Sequence, residues 1–219
     1  MLIRYLATHV RPDILVAVSF LTTRVLSPTE QDTKKLIRLL RYLNHTRDMG
    51  LILGGDAEGN FHLSAYVDAS FGVHADGKSH TGMFITLGRG IILAKSVKQK
   101  IVSKSSCEAE LIGLSDISSL LAWQQEWMST MGDGDHAYPA TLYEDNMSAM
   151  ALAQNGRSTS DRTKHIKLRY FFIKQYLDNG EFILKHCSTE RMIADILTKP
   201  LQGDHFEYLR DALLGYATA

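Results

Sequence analysis

Apolar side chains return at helical spacing through Leu36, Leu39, Leu40 and Leu43, while Lys34, Arg38, Arg41 and His45 recur along another face. One stripe reads as core and the other as a basic surface. Just upstream, Ser27-Pro28-Thr29-Glu30 has the form of a capping box with proline at the first helical position, which predicts a helix from Pro28 to about His45. An earlier helix is predicted from Pro12 and Asp13 to about Arg24, so the first 48 residues read as helical.

The pattern changes at Gly54-Gly55-Asp56 and Gly59-Asn60, which are turn signals, and a domain boundary is placed here: residues 1–54 as one unit, 55–219 as another. From Phe61 to Ser70 the period is two. Phe61, Leu63, Ala65 and Val67 share one face, with His62, Ser64, Tyr66 and Asp68 on the other. Two further strands, Thr81 to Leu87 and Ile91 to Ser96, flank a hairpin turn at Gly88-Arg89-Gly90. A long helix is predicted from Ser105 to about Met131, with Cys107, Leu111, Leu114, Ser118 and Leu121 on one face. A strand at Ala140 to Glu144, a helix from Asp145 or Asn146, a polar loop, a helix from Thr163 to Asp178, a strand from Glu181 to Cys187 and helices at Thr189 to Lys199 and Asp204 to Leu214 complete the order. The fold class expected is α/β, a mixed five-stranded sheet with flanking helices preceded by a small helical segment.

Composition narrows this little: 219 residues, 24 Lys+Arg against 24 Asp+Glu, 45% apolar and 16 Gly describe an ordinary globular chain. With net charge zero, any nucleic-acid surface must be a local patch. Cys107 and Cys187 have no metal-type spacing and fit free thiols in a reducing compartment. No apolar run approaches the roughly 18 residues that span a bilayer, so no membrane partner is expected. The N-terminal stretch Ile14 to Leu21 imitates a signal sequence without a cleavage site after it.

Four carboxylates stand out by position: Asp68 in a strand, Glu108 in the first turn of the long helix, Asp145 at a strand-to-helix junction, and Asp195 inside the apolar segment Ile193-Ala194-Asp195-Ile196-Leu197. Each has a structural alternative. Ser105-x-x-Glu108 is a capping box, Asp145 can cap a helix, Asp195 can pair with Lys199 at i+4, and Asp68 can face water. Together, these elements can converge on one sheet edge. Two carboxylates about 4 Å apart repel by about 4 kcal/mol at an effective dielectric near 20, so such a cluster demands cations. Oxygen ligands without His or Cys select Mg²⁺, with Mn²⁺ as a substitute, and paired ions suit phosphodiester hydrolysis. Glu110, about 200° around the helix from Glu108, is not expected on the same face.

The segments YVDASFGVHADGKSHTGMFITLGRG, KSVKQKIVSKSSCEAEL, LYEDNMSAMALAQN, RTKHIKLRYFFIKQYL and ADILTKPL, in this order, resemble the ribonuclease H region of copia-type retrotransposon polyproteins over about residues 60–214. The opening stretches RYLATHVRPDILVAVSFL and KKLIRLLRYLNHTRDMGL resemble the C-terminal end of the reverse transcriptase that precedes it, without the polymerase YxDD motif. The resemblance implies an enzyme that cuts the RNA strand of RNA/DNA hybrids with two Mg²⁺ ions held by Asp68, Glu108, Asp145 and Asp195, and that does not polymerise. It further implies that Glu108 lies near the ribose 2′-OH, the group that marks RNA. The partners implied are the hybrid, reverse transcriptase and other parts of the same polyprotein. The location implied is cytoplasmic, within a virus-like particle, with the nucleus as the alternative.

Lys95, Ser96, Lys98, Gln99, Lys100 and Lys104 form an acid-free run beside the expected site, suited to phosphates and to salt-sensitive binding. Arg162, Lys164 and His165 belong to a second basic group. Tyr170, Phe171, Phe172 and Tyr176 sit at helical spacing and are expected in the core rather than as a stacking platform. Nothing resembles HExxH, a serine-hydrolase triad or a phosphate-cradling glycine loop. A rival of another class is a non-catalytic nucleic-acid or polyprotein interaction module that keeps the fold. A third is an unstable fragment whose aggregation would be relieved by trimming to about residue 55.

Overall fold

A computed structural model describes residues 2–132, 134–156 and 167–217. Three helices come first, α1 (Leu2–His9), α2 (Leu15–Thr22, entered through a 3₁₀ turn at Pro12–Ile14) and α3 (Glu30–His45). The capping box of α3 lies two residues later than the sequence suggests. Thr29 is the N-cap, and it exchanges hydrogen bonds with Asp32 rather than Ser27 with Glu30.

Strands β1 (Ser64–Ser70), β2 (His80–Thr86) and β3 (Ile91–Lys98) form an antiparallel meander. β4 (Ala140–Glu144) and β5 (Phe182–His186) add in parallel on the other side of β1, giving the order β3-β2-β1-β4-β5. The parallel pairs need crossovers, supplied by α4 (Ser106–Thr130) before β4 and by α5 (Met147–Asn155) with α6 (Lys167–Asp178) before β5. After β5 come two 3₁₀ turns, Thr189–Arg191 and Ile193–Leu197, where a helix was expected, and then α7 (Gly203–Leu214). The mixed five-stranded sheet with flanking helices and an N-terminal helical segment is the architecture expected. Among the described residues, no helix is long and apolar enough to cross a membrane.

Alternation in the strands divides the core in two. Leu63, Ala65, Val67, Met83, Ile85 and Leu142 pack on one face against Leu111, Leu114, Ile117 and Leu121 of α4. On the opposite face Phe84, Ile91 and Ala94 meet Ile14, Leu15 and Val18 from the N-terminal helices, Met192 to Leu197 from the 3₁₀ turns, and Leu209 and Leu213 of α7. The segment before residue 54 therefore shares a core with the sheet. Of the helical aromatics, Phe172 meets Tyr176 edge-on, and Tyr176 stacks on buried Phe182, but Phe171 stays 44% exposed.

Candidate metal centre

Asp68 lies in β1 opposite Gly82 of β2, and the missing side chain of Gly82 brings the Ile193–Leu197 turn onto the sheet. A Cβ there would sit 2.6 Å from Leu197 Cβ and 2.7 Å from Thr198 Cγ2. This close approach carries Thr198 to Asp68. Its hydroxyl donates to Asp68 Oδ2, while Lys199 Nζ reaches Asp68 Oδ1 at 3.4 Å and Asp195 Oδ1 at 2.7 Å. The turn is held from beneath as well. Ser96 Oγ donates to the Leu197 carbonyl at 2.7 Å and meets His80 Nε2, whose other ring nitrogen meets His74 Nε2 at 3.0 Å. Phe20 of α2 stacks on both imidazoles.

From the other core, α4 delivers Glu110, and the end of β4 delivers Glu144 and Asp145. One oxygen each from Asp68, Glu110 and Asp145 lies within 4.8 Å of the others. Thr189 donates to Asp145 Oδ2 at 2.9 Å, which fixes that carboxylate from the first 3₁₀ turn. Asn146, not Asp145, caps α5, its side chain accepting from the Ser148 and Ala149 N–H groups.

Glu108 is not brought to this cluster. The two glutamates do point to different sides of α4, but it is Glu108 that turns away. Its own N–H donates to Ser105 Oγ, as the N-cap half of the expected capping box requires, but its Oε2 accepts from the Lys104 N–H at 2.6 Å, one residue before the N-cap, so the box is not closed on Ser105. Helical spacing does not separate the two, because α4 is enclosed on every side from Glu108 onward: Glu108, Ala109, Glu110 and Leu111 are all buried. A signal for Glu110 was present. With Glu108 accounted for by the cap, Glu110 is a carboxylate between Ala109 and Leu111 with no local reason to be there.

The electrostatics match a site short of positive charge. Burial, then Glu144, Asp68 and Asp145, push the Glu110 carboxyl up to about 11. Burial likewise drives Glu144 well above the usual carboxylate range, although the Asn146 N–H bound to its Oε1 works the other way. Asp195 is raised to about 6 by burial and by Asp68, with Lys199 opposing. Glu110 Oε2 and Glu144 Oε2 are buried with no hydrogen-bond partner among the described residues, and Glu110 is only 5% exposed. An orphaned carboxylate oxygen beside two more carboxylates, in an all-oxygen donor set, fits a hard divalent cation.

The basic run divides. Lys95, Lys100 and Lys104 are exposed, and Lys98 is half-buried and paired with Asp76 at 2.8 Å. Ser96 and Gln99 are buried instead. Ser96 serves the Leu197 carbonyl, and the Gln99 amide donates to Thr81 Oγ1 and the Ala109 carbonyl, both at 2.9 Å. Neither offers a surface contact to phosphates, contrary to the expectation from the lysine run, because both side chains turn inward. Arg162, Lys164 and His165 lie outside the described residues.

No family model matches the chain. Over 94% of its length it is similar to retrovirus-related Pol polyproteins, 38% identical across 207 residues to that of transposon RE2 from Arabidopsis thaliana and 31% across 208 residues to that of transposon TNT 1-94 from Nicotiana tabacum. The Transposon Ty1-LR3 Gag-Pol polyprotein of Saccharomyces cerevisiae is 24% identical over 207 residues. The chain spans 14% of the RE2 polyprotein and 15% of the TNT 1-94 polyprotein, about one seventh of each. Among solved structures, RNase H1 from the halophilic archaeon Halobacterium salinarum NRC-1 superposes with a TM-score of 0.42 at 17% identity, over 63% of this chain and 94% of that one.

Proposed function

Starting from a chain whose homologues are the Pol polyproteins of plant copia-type transposons, we propose that it hydrolyses the RNA strand of RNA/DNA hybrids with divalent cations, Mg²⁺ foremost, leaving 3′-OH and 5′-phosphate ends. The observation that carries this reading is the convergence of buried Asp68 and Glu110 with half-buried Asp145, with an orphaned Glu110 oxygen. Those three, with Asp195 across Lys199, would hold two ions, and Glu110 takes the place that the resemblance gave to Glu108. When bound, the ions supply an activated water and a counter-charge for the phosphodiester.

The chain's own groups prepare the site. Thr198 and Thr189 orient Asp68 and Asp145 through their hydroxyls, so neither carboxylate has to be repositioned. Exposed Lys95 of β3, with Lys100 and Lys104 on the segment that leads into α4, meets the phosphates flanking the cut. Residues 1–54 belong, on this reading, to the C-terminal end of a reverse transcriptase, and the setting is a cytoplasmic particle.

The test is cleavage of a hybrid labelled in its RNA strand, with duplex DNA and duplex RNA as controls, by the full chain and by Asp68→Asn, Glu110→Gln and Glu108→Gln. The first two variants should lose at least about a hundredfold, as removal of a transition-state charge stabiliser does, while the third keeps most activity. Salt-sensitive hybrid binding without Mg²⁺-dependent cutting would replace the enzyme by a binding module.

A further inference from the structure

Among the described residues, Lys199 is the cation that stands between two carboxylates of the site. Its Nζ stands 2.7 Å from Asp195 Oδ1 and 3.4 Å from Asp68 Oδ1, joining the carboxylate of the catalytic turn to that of the central strand. The side chain is 35% exposed while Asp68 and Asp195 are almost wholly buried, so the lysine reaches the pair from the solvent side. The lysine stem has rotatable bonds enough to swing its head away without moving the turn. The turn itself is fixed independently, by Gly82 beneath it and by Ser96 on the Leu197 carbonyl.

From this geometry we infer that the Lys199 ammonium is a built-in counter-cation, holding Asp68 and Asp195 together and competing with a divalent ion for their oxygens. The inference rests on the metal-dependent reading above and adds a regulatory threshold to it. A divalent ion that takes both Asp68 Oδ1 and Asp195 Oδ1 must first displace the ammonium. Removing the ammonium leaves the two carboxylates to repel one another until an ion arrives. Lys199 is thus a positioning residue whose loss strengthens metal binding and weakens the protein in the absence of metal, two effects that a merely structural lysine would not produce together.

The experiment uses the full chain and reads Mn²⁺ binding by electron paramagnetic resonance, with thermal unfolding in chelator and in saturating Mn²⁺. Lys199→Met should bind Mn²⁺ about tenfold more tightly, the size of effect expected for one partly buried ion pair. Its unfolding midpoint should fall in chelator and return toward the wild-type value in Mn²⁺. Lys199→Arg keeps the charge and should retain the weaker binding. If the methionine variant does not fold in chelator, Lys199→Gln carries the same expectation. Unchanged or weaker Mn²⁺ binding in the uncharged variants overturns the inference. Asp68→Asn separates the two readings: if it binds Mn²⁺ as the wild type does, the metal centre itself fails. If it loses Mn²⁺ while Lys199→Met is indifferent, only the role of Lys199 fails.

Discussion

Replacing Glu110 by Gln should make the protein more stable at neutral pH when metal is withheld. The Glu110 carboxyl stays protonated in the folded protein far above its ordinary value of 4.5, because burial and then Glu144, Asp68 and Asp145 oppose its charge. The unfolded chain releases that proton near pH 4.5. Below this the group is neutral in both states and contributes nothing. As pH rises toward the folded value of about 11, the folded state holds a proton that the unfolded state lacks. Stability therefore falls by about 1.4 kcal/mol per pH unit over that window, reaching a penalty of about 3 kcal/mol at pH 7. Glutamine has the same shape without the proton, so Glu110→Gln should gain about 3 kcal/mol at pH 7, about 1 at pH 5.5 and nothing near pH 4. Urea unfolding in chelator at the three pH values measures it. Glu108→Gln should go the other way by about 0.5 kcal/mol, since it removes a negative charge from the first turn of α4. Adding Mg²⁺ at a hundred times its dissociation constant should stabilise the wild type by about 2.7 kcal/mol and leave Glu110→Gln unmoved. A Glu110→Gln protein that is less stable at pH 7, or equally shifted at pH 4 and pH 7, would refute the placement of that carboxyl.

Gly82→Ala drives a methyl into Leu197 and Thr198; it should cost about 1–3 kcal/mol by urea unfolding and should lower hybrid cleavage further than the stability loss explains. Deleting residues 1–54 strips Ile14, Leu15, Val18 and Leu39 from Phe84, Ile91 and Ala94; the shortened chain should bind more of a hydrophobic dye and aggregate sooner in light scattering, the reverse of what a free-standing nuclease domain would do. Lys100→Ala with Lys104→Ala should weaken hybrid binding and lower the slope of log affinity against log salt by about 1 to 2, without altering Mn²⁺ binding.

The strand sequence was legible because its causes are local. Alternation from Leu63 to Asp68, the hairpin glycines Gly88 and Gly90, and the apolar face of α4 reappear where the pattern put them. Asp68 and Asp145 stand within the cluster on the strand and the strand-to-helix junction expected, and Asp195 stands beside it on a 3₁₀ turn where a helix was expected. What was not legible depends on enclosure. Periodicity finds one buried face of a helix, and from Glu108 to Ser115 every face of α4 is buried, so it could not rank Glu110 above Glu108. Ser96 and Gln99 look like members of a lysine run, and only the pairing of β3 with β2, and of Gln99 with α4, turns them inward. The expected helix over Thr189 to Lys199 became two 3₁₀ turns whose residues also answer to distant partners, Thr189 to Asp145, Leu197 to Gly82 and Thr198 to Asp68.

The line from Phe20 to Leu197 has a direction. Ser96 Oγ has one proton and gives it to the Leu197 carbonyl, so it can only accept from His80 Nε2. His80 then has Nδ1 free to accept, and His74 must donate from Nε2. With both rings neutral one arrangement of protons satisfies the whole row, and burial and then His74 lower the His80 value to about 4. Burial and then Lys98 lower the His74 value as well, and with both rings neutral each tautomer is dictated by its neighbour. The carbonyl two residues past Asp195 is thereby registered against a phenyl ring of the second helix, and the N-terminal helical segment is built into the alignment of the carboxylate cluster.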